Sequence, residues 1–368
     1  MKTIALKPGS TDVHLSEAAE PNIQTATEIK AQVVCVGVCG TDREEAAGGR
    51  ADAPAGEKEL IIGHEMLGRV TEVGAKVTSL KVGDYVVITV RRGCATCSAC
   101  NMNRSDLCLT GRYTERGIKG RHGFQAEYVV DEEAFAIKVP AAIAHVGVLA
   151  EPMSVVQKAI EEAALIQQAR LPYLPKSTEW LHGKTVFIAG LGPIGLLAAL
   201  VLRLRGAKVF GLDIVDTKSP RVEILSEIGG TYIYGKGLDP KKLASTYPSI
   251  DMIVDAAGCA QLDFDLLEAL GINGIFVLTG VPGDQRSLSI DGAEIMRKLV
   301  LKNQVVVGSV NESIAHFKKG ISDIEAATKK WPGVVEKMIT QRFNHTDFEK
   351  ALSHHSQDEI KVVIEWKK

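Results

Sequence analysis

The segment 183–213 constrains the fold most strongly, because it contains a Gly-rich turn with a predicted strand before it and a predicted helix after it. The segment reads GKTVFIAGLGPIGLLAALVLRLRGAKVFGLD. The β-branched run Thr185–Ala189 predicts a buried strand and leads directly into the turn 190–195, GLGPIG. A Leu-rich run long enough for a helix follows, and a second short strand, Lys208–Leu212, ends at Asp213. This order predicts a βαβ unit that binds a dinucleotide.

Each glycine of the turn has a physical task in this interpretation. Gly190 permits the tight bend, Gly192 lets the backbone approach a pyrophosphate, and Gly195 lets the helix pack closely on the strand. Pro193 and Ile194 would be the first residues of the helix. The free N–H groups and the positive end of the helix dipole at this terminus attract phosphate. A GxGxxG alone is weak evidence, but here the preceding strand, the following helix and the distant acid all agree.

Asp213 bears on the choice of dinucleotide. Its carboxylate can accept hydrogen bonds from the ribose hydroxyls and would repel a 2′-phosphate, so we expect NAD to be preferred over NADP. Lys218 and Arg221 lie nearby in the sequence and would act in the opposite direction. Thr279 and Val281, at the end of a later predicted strand, are further cofactor-binding candidates.

Composition excludes several classes of protein. A chain of 368 residues suffices for two domains, and 45% hydrophobic with 24% charged residues is typical of a soluble globular protein. A net charge of −2 gives no electrostatic reason to expect nucleic-acid or membrane partners. The first residues lack a signal-peptide core, and the longest apolar run, Ile194–Leu202, is too short to span a bilayer. We therefore expect a cytoplasmic protein.

The chain divides into three stretches by pattern. Residues 1–183 are rich in short strand patterns and should form a catalytic domain, residues 184–308 alternate strands with helices, and residues 309–368 end in a late strand that should return to the first domain. The strands predicted for the middle stretch are Thr185–Ala189, Lys208–Leu212, Thr231–Tyr234, Met252–Asp255, Gly274–Thr279 and Val305–Gly308. The predicted fold class is α/β, with a β-rich domain beside a doubly wound parallel sheet.

Four of the seven cysteines lie within the lobe 94–108, as Cys94-x2-Cys97-x2-Cys100-x7-Cys108. Thiolates at this spacing can close a tetrahedron around one Zn²⁺, which leaves no position for a substrate and gives the ion a structural role. Zinc binding contributes about 10–16 kcal/mol in small peptides, enough to order a lobe with little core of its own. An iron–sulfur cluster and four unconnected thiols remain alternatives.

A second group of metal-type residues is split between two short segments. Cys39 begins the segment CGTD, and His64 with Glu65 lies in the segment GHE. A thiolate, an imidazole and a carboxylate form a mixture that suits zinc. Taken separately, neither segment is specific, because a lone His is usually structural.

The arrangement of all these motifs resembles that of the zinc-dependent medium-chain dehydrogenases, over essentially the whole chain. The zinc signature of that family is matched by Gly63-His64-Glu65-x2-Gly68-x5-Gly74-x2-Val77. The chain is most similar to the archaeal and bacterial glucose dehydrogenases of the family. The residues that carry this closer similarity lie at 39–43 (CGTDR), 91–94 (RRGC), 115–118, 122–124 (HGF), 309–311 (SVN) and 359–361 (EIK).

The resemblance implies a GroES-like catalytic domain with a Rossmann domain, and a set of catalytic residues. Cys39, His64 and Glu65 match the ligands of a catalytic zinc, and Glu151 matches an acid that binds zinc directly or through water. Thr41 matches the hydroxyl that takes the substrate proton. One thiolate and one carboxylate balance the charge of Zn²⁺, so an ionised Glu151 would make the site net negative. The family members are usually homodimers or homotetramers.

The implied substrate is a small sugar. Glu115 and Asn311 match polar positions that face sugar and nicotinamide, and Asp42 matches a residue that orients His64. Val90 and Val155 stand where archaeal members carry Asn and Asp that help to hold the sugar, so the resemblance predicts aldose oxidation at C1 to a lactone without fixing the sugar. A polyol or L-threonine-type dehydrogenase and a non-catalytic NAD- and zinc-binding protein are the alternatives.

Overall fold

The computed structural model describes residues 1–283, 287–353 and 355–366. Within them the chain forms two compact units. Unit 1 comprises Met1–Ser154, Asn311–Glu325 and Met338–Lys368, and unit 2 comprises Val155–Val310 and Ala326–Lys337. None of the described helices combines the length and apolar character needed to cross a bilayer.

The secondary structure is numbered here in chain order. The strands are β1 (Lys2–Leu6), β2 (Val13–Glu17), β3 (Glu28–Val38), β4 (Leu60–Ile61), β5 (Glu65–Val73), β6 (Tyr85–Ile88), β7 (Arg91–Arg92), β8 (Thr114–Arg116), β9 (Gly120–Arg121), β10 (Tyr128–Glu132), β11 (Ala136–Val139), β12 (Thr185–Ala189), β13 (Lys208–Asp213), β14 (Thr231–Tyr234), β15 (Ile250–Asp255), β16 (Leu270–Leu278), β17 (Val305–Gly308), β18 (Ile339–Asn344) and β19 (Lys361–Glu365). The α-helices are α1 (Gly40–Ala46), α2 (Ser98–Asn101), α3 (Ala150–Arg170), α4 (Pro193–Leu204), α5 (Pro220–Glu227), α6 (Pro240–Thr246), α7 (Ala260–Leu267), α8 (Gly292–Leu301), α9 (Ile314–Lys330) and α10 (Phe348–Ser353). Short 3₁₀ turns cover Ser105–Leu107, Glu133–Phe135, Ala141–Leu149, Ser177–Leu181, Glu336–Met338 and His345–Asp347.

Unit 1 is built on a seven-stranded sheet in the order β11-β6-β5-β3-β19-β18, with β10 also paired to β3. Its central strand β3 is apolar along most of its length, and it packs into a core with Met66, Val86 and Phe124. The C-terminal strand β19 pairs antiparallel with β3, so that Val362 lies opposite Val38. The residues that follow β3 and those that begin β5 are therefore held beside a strand from the far end of the chain.

Unit 2 contains a six-stranded sheet in the order β14-β13-β12-β15-β16-β17, and every pair in it is parallel. The central strand β12 is almost continuously apolar because both faces of such a sheet are covered. This strand order is that of a doubly wound dinucleotide-binding fold, as the sequence predicts. The main difference is that β16 begins at Leu270 rather than Gly274, because its pairing with β15 continues across an irregularity that contains the left-handed Asn273.

Candidate functional site

The register between β3 and β5 brings Cys39 and His64 together. Gly37 lies opposite Glu65 in this pair, so the residue after β3 and the residue before β5 meet at the same end of the sheet. Cys39 is the N-cap of α1: its Sγ accepts a hydrogen bond from the Thr41 backbone N–H at 3.1 Å. The first turn of α1 therefore fixes the direction of the thiol.

The three donor groups form a compact cluster. Cys39 Sγ lies 3.1 Å from His64 Nε2, and one ligand atom from each of Cys39, His64 and Glu65 lies within 4.8 Å of the others. Within the part of the chain that the structure describes, His64 Nδ1 is buried without a hydrogen bond and faces Asp42 Oδ1 at 3.6 Å, which has no hydrogen-bond partner either. Sulfur, nitrogen and oxygen donors in this arrangement fit a zinc ion, with Asp42 behind the imidazole.

Lys361, which the sequence interpretation did not place in the site, pairs with Glu65. Lys361 is the first residue of β19, and its Nζ lies 2.7 Å from each of the two Glu65 carboxylate oxygens. Both side chains are buried. Burial opposes the charged form, but the charge of Glu65 and then that of Cys39 outweigh it and raise the pKa of Lys361. A Cβ on Gly37 would lie 2.1 Å from Glu65 Oε2, so glycine is required there. The lysine adds a positive charge that the sequence-based charge count left out.

The electrostatics of the cluster favour a cation. Burial raises the pKa of Cys39, and it would lower that of His64, but the charges of Cys39 and Asp42 raise the pKa of His64 well above its usual value. Burial is also the main reason why the pKa of Glu151 rises to about 7, although the charge of His64 opposes the rise. Glu151 lies in the first turn of α3 and interacts electrostatically with His64 and Glu65. A bound divalent cation would stabilise the deprotonated thiol and carboxylates.

Glu115 and Asn311 meet in unit 1, although they are 196 positions apart in the sequence. Asn311 Nδ2 donates to Glu115 Oε1 at 2.6 Å, and Arg91 donates to the same oxygen from Nε at 3.1 Å and Nη2 at 2.9 Å. Arg91 also stacks on Tyr113, with its guanidinium carbon 3.8 Å from the ring centroid. Glu115 is thus a fixed, ion-paired carboxylate rather than a solvated loop charge, and its Oε2 takes part in none of these three bonds.

The four cysteines of the lobe also converge. One sulfur from each of Cys94, Cys97, Cys100 and Cys108 lies within 4.8 Å of the others, and Cys94 Sγ is 3.8 Å from Cys100 Sγ. Hydrogen bonds from the Thr110 and Thr96 side chains lower the pKa of Cys94 to about 5. Four thiols facing one point, one of them readily ionised, fit a closed tetrahedral metal site.

The glycine turn in unit 2 has the geometry that its sequence requires. Gly190 has a φ of +89°, and a Cβ there would lie 2.9 Å from the Ala257 nitrogen. A Cβ on Gly195 would lie 1.9 Å from the Gly190 carbonyl oxygen. At Gly192, the N-cap of α4, a Cβ would meet nothing within 4 Å. The backbone at the start of α4, from Pro193 on, is therefore open to a ligand.

Asp213 ends β13 and faces this turn. Its Oδ2 accepts a hydrogen bond from the Leu191 N–H at 2.7 Å and lies 3.5 Å from Arg221 Nη1. Arg221 therefore offsets part of the negative charge that would repel a 2′-phosphate. A carboxylate has about four lone-pair positions, so these contacts leave Asp213 able to accept further hydrogen bonds.

Thr279 and Val281 follow β16 at the carboxyl edge of the sheet. The Thr279 hydroxyl donates to the carbonyl oxygen of Asp255, and the Asp255 carboxylate accepts from the Gly280 N–H at 3.0 Å. The same carboxylate accepts from the Gly258 N–H at 3.1 Å, which ties together the loops after β15 and β16. Val281 is exposed. Ligands of doubly wound sheets bind at this edge.

Comparisons with known proteins identify the family. Residues 25–141 match the family described as "Alcohol dehydrogenase GroES-like domain", and residues 144–366 match "Glucose dehydrogenase C-terminus". The chain is 37% identical over 367 residues to a "Glucose 1-dehydrogenase" of Methanocella arvoryzae, covering 99% of both chains. It is 36% identical over 366 residues to "Glucose 1-dehydrogenase 2" of Vulcanisaeta moutnovskia, again covering 99% of both. The chain belongs to the zinc-dependent medium-chain dehydrogenase family, close to the glucose 1-dehydrogenases.

A solved structure supports the same placement for this dehydrogenase. The chain is similar to the glucose dehydrogenase of Haloferax mediterranei "in complex with NADP, Zn and gluconolactone", with 31% identity, a TM-score of 0.87 and complete coverage of both chains. The predicted fold class, a GroES-like domain with a Rossmann domain, is thereby confirmed. The predicted class of enzyme, a zinc-dependent oxidoreductase acting on a CH–OH group, is confirmed by the family as well.

Sequence reasoning assigns no role in the candidate site to three residues of this dehydrogenase. Lys361 and Arg91 appear in the sequence only as points of family resemblance, and no motif marks Glu312, a buried acid directly after Asn311. The only signal in the sequence for Glu312 is its position next to the candidate residue Asn311. The ion pairs of Lys361 and Arg91 depend on tertiary contacts that no local pattern reveals.

Proposed function

We propose that this dehydrogenase oxidises an aldose at C1 to the lactone, with NAD(P)⁺ as the hydride acceptor. The observation that carries the proposal is the set of polar side chains that unit 1 holds besides the Cys39 donor cluster. Glu115 and Asn311 form a fixed hydrogen-bonded pair in that unit, and Glu151 interacts electrostatically with His64. Convergent donors and acceptors suit a polyhydroxylated substrate, whereas a site for simple alcohols would be lined by apolar groups. The Haloferax relative, crystallised with gluconolactone, supports the same class of substrate.

Four residues are proposed to hold the catalytic zinc: Cys39, His64, Glu65, and Glu151 directly or through water. Zinc in a site with an open position acts as a Lewis acid that lowers the pKa of a hydroxyl group. Lys361 keeps the Glu65 carboxylate in place and offsets its charge.

The remaining residues move the proton and orient the sugar. In our proposal the Thr41 hydroxyl accepts the proton of the C1 hydroxyl while it passes its own proton on towards solvent, the C1 hydrogen leaves with the electron pair of the C1–H bond as hydride to the nicotinamide, and the C1–O bond becomes the carbonyl of the lactone. Asp42 orients His64, and Glu115 with Asn311 binds hydroxyl groups of the sugar. Nicotinamide supplies only the hydride acceptor, so orientation is the contribution of the protein.

The dinucleotide is proposed to bind to unit 2 at the turn 190–195. The proposed contacts are Gly190, Gly192, Pro193, Ile194, Gly195, Asp213, Thr279 and Val281, with Asn311 at the nicotinamide. We keep the preference for NAD because Asp213 is a carboxylate at the position that meets the ribose hydroxyls. The four cysteines of the lobe are proposed to hold a second, structural zinc. A cytoplasmic location stays a prediction.

A panel of substrates tests the proposed function. Aldoses, polyols, L-threonine and simple alcohols are assayed with NAD⁺ and with NADP⁺, and the product of the best substrate is identified as lactone or ketone. The highest kcat/KM is expected for an aldose, with a lactone as product. A clear preference for a polyol or for L-threonine, or absence of turnover with every substrate, would reject the proposal.

Changing Asp213 to asparagine is expected to raise the ratio of kcat/KM with NADP⁺ to that with NAD⁺ by roughly 10- to 100-fold. Asparagine keeps an oxygen for the Leu191 N–H but removes the charge that repels a 2′-phosphate, while Arg221 remains. Initial rates with both cofactors measure the ratio. Asp216→Asn, at an exposed acid three positions further on, is the control and should leave the ratio unchanged. A wild-type enzyme that prefers NADP⁺ would contradict the assignment.

We further propose that the protein forms a homodimer through the edge of the sheet in unit 2. Strand β17 is an edge strand of the sheet, so one side of it pairs with no other described strand. Apolar side chains are exposed on β16, α8 and β17: Ile272, Met296, Val300, Leu301 and Val306. Val300 and Leu301 are 71% and 74% exposed at the end of α8, which has no buried residue. A second copy related by a two-fold axis would cover both the edge strand and these side chains.

The double variant Val300→Glu with Leu301→Glu is expected to be monomeric, because like charges brought together in a symmetric interface cannot be buried unpaired. Light scattering after size exclusion measures the mass. The wild-type chain should elute as a dimer or tetramer, and Leu165→Glu, at an exposed apolar residue of α3, should elute as the wild type does. A monomeric wild type would refute the dimer.

A further inference from the structure

Glu312 is buried without a partner. It is 2% exposed, and neither carboxylate oxygen has a hydrogen-bond partner among residues 1–283, 287–353 and 355–366. A carboxyl group removed from water without a hydrogen bond is unfavourable by several kcal/mol, so such groups are rare unless a ligand completes them. The side chain therefore calls for a partner from outside the chain.

Glu312 lines a cavity within unit 1. Its lining is polar at Thr89, Arg91, Asn103 and Ser105, contains Gly93 and Cys100, and is apolar at Ala95, Ala134, Phe135 and Ile314. The guanidinium of Arg91 is engaged elsewhere, because Nε and Nη2 donate to Glu115 and Nη1 donates to the carbonyl oxygen of Asp106 at 3.1 Å. The polar side chains of the lining other than Arg91 and Glu312 are neutral, and their hydroxyl and amide groups match a hydroxylated ligand better than a cation.

Glu312 interacts electrostatically with two of the proposed catalytic residues, His64 and Glu151. Burial and the charge of Glu151 raise the pKa of Glu312, while Arg91 and His64 oppose the rise. Glu115, which faces the same region, adds to the rise. The carboxyl of Glu312 therefore interacts electrostatically with three of the proposed zinc and sugar residues, His64, Glu115 and Glu151.

We propose that Glu312 is a specificity-determining residue that accepts a hydrogen bond from a sugar hydroxyl other than the one at C1. The proposal rests on the proposed aldose oxidation, since the C1 hydroxyl is assigned to Thr41 and the zinc ligands. A hydroxyl donor satisfies an oxygen of the buried carboxyl group without bringing in a counter-charge. The cavity then accommodates the part of the sugar that is remote from the oxidised carbon.

The test combines Glu312→Met with glucose and its 2-, 3-, 4- and 6-deoxy analogues. For the wild type, one analogue should lose roughly 3- to 10-fold in kcat/KM, the effect of one hydrogen bond to an uncharged acceptor. Glu312→Met, which removes both oxygens at a similar side-chain length, should lose a similar factor on glucose, mainly through KM, and show little further loss with that same analogue. Glu312→Gln, which keeps a carbonyl oxygen at the same reach, should retain most of the rate and the wild-type discrimination, and it covers the case in which Met impairs folding.

Controls separate this proposal from the proposed function. Glu127→Gln, at an acid bonded to the Lys2 backbone, should leave every ratio unchanged. Losses from Glu312→Met that add fully to each deoxy effect, or no loss at all, would overturn the role of Glu312 while wild-type aldose oxidation stands. A wild type that turns over no aldose rejects both proposals, and this appears before any variant is compared.

Discussion

Cys39→Ala is expected to lower kcat/KM for the sugar on the order of 10³-fold or more, because it removes the thiolate ligand of the proposed catalytic zinc. Cys39 Sγ lies 3.1 Å from His64 Nε2, so no other described sulfur is positioned to replace it. Bound zinc should fall by one equivalent per chain, measured by elemental analysis. NADH binding, followed by fluorescence, should persist, since the turn 190–195 lies in unit 2.

The control for this prediction is Cys35→Ala. Cys35 is buried on β3, four positions before Cys39, and takes part in neither cysteine cluster. Its replacement should keep both the rate and the zinc content. Substantial turnover by Cys39→Ala with a full complement of zinc would show that the catalytic metal, if any, is held elsewhere.

The parts of the fold that could be predicted from the sequence are those whose determinants are contiguous. The strand β12, the turn 190–195, the helix α4 and Asp213 lie within one segment, and each local preference agrees with the others. The cysteine lobe was predictable for the same reason. Closely spaced residues can be assessed together without knowledge of the tertiary fold.

The contacts that complete the candidate site come from long-range pairing. Lys361 reaches Glu65 across 296 positions because β19 pairs with β3, which in turn pairs with β5. Sequence alone shows a lysine in a C-terminal strand and gives no reason to place it beside a proposed zinc ligand. The charge count made from the sequence was incomplete for that reason, and Lys361 offsets the excess negative charge attributed to Glu151.

Glu312 illustrates a different limit. Its neighbour Asn311 has a left-handed backbone, with φ of +62°, and pairs with Glu115. The acid that follows is buried, which an isolated glutamate in a polar stretch does not suggest. Only the fold shows that this carboxyl is enclosed and has no hydrogen-bond partner among the described residues, so the proposed substrate contact could not be inferred from the sequence.

Cys97→Ala is expected to release one zinc ion per chain and unfold the lobe 94–108 locally. The lobe has almost no apolar core, since Met102 is 75% exposed and Leu107 is 43% exposed. Zinc binding at four thiolates contributes about 10–16 kcal/mol in small peptides, as much as the whole stability of a typical domain. Limited proteolysis should cut the variant within the lobe, and its Tm should fall by roughly 10 °C or more. Met102→Ala, a change at an exposed non-ligand in the same lobe, should retain both zinc ions and the wild-type cleavage pattern. A Cys97→Ala protein with two zinc ions and unchanged cleavage, or iron in place of zinc in the wild type, would contradict a structural zinc in the lobe.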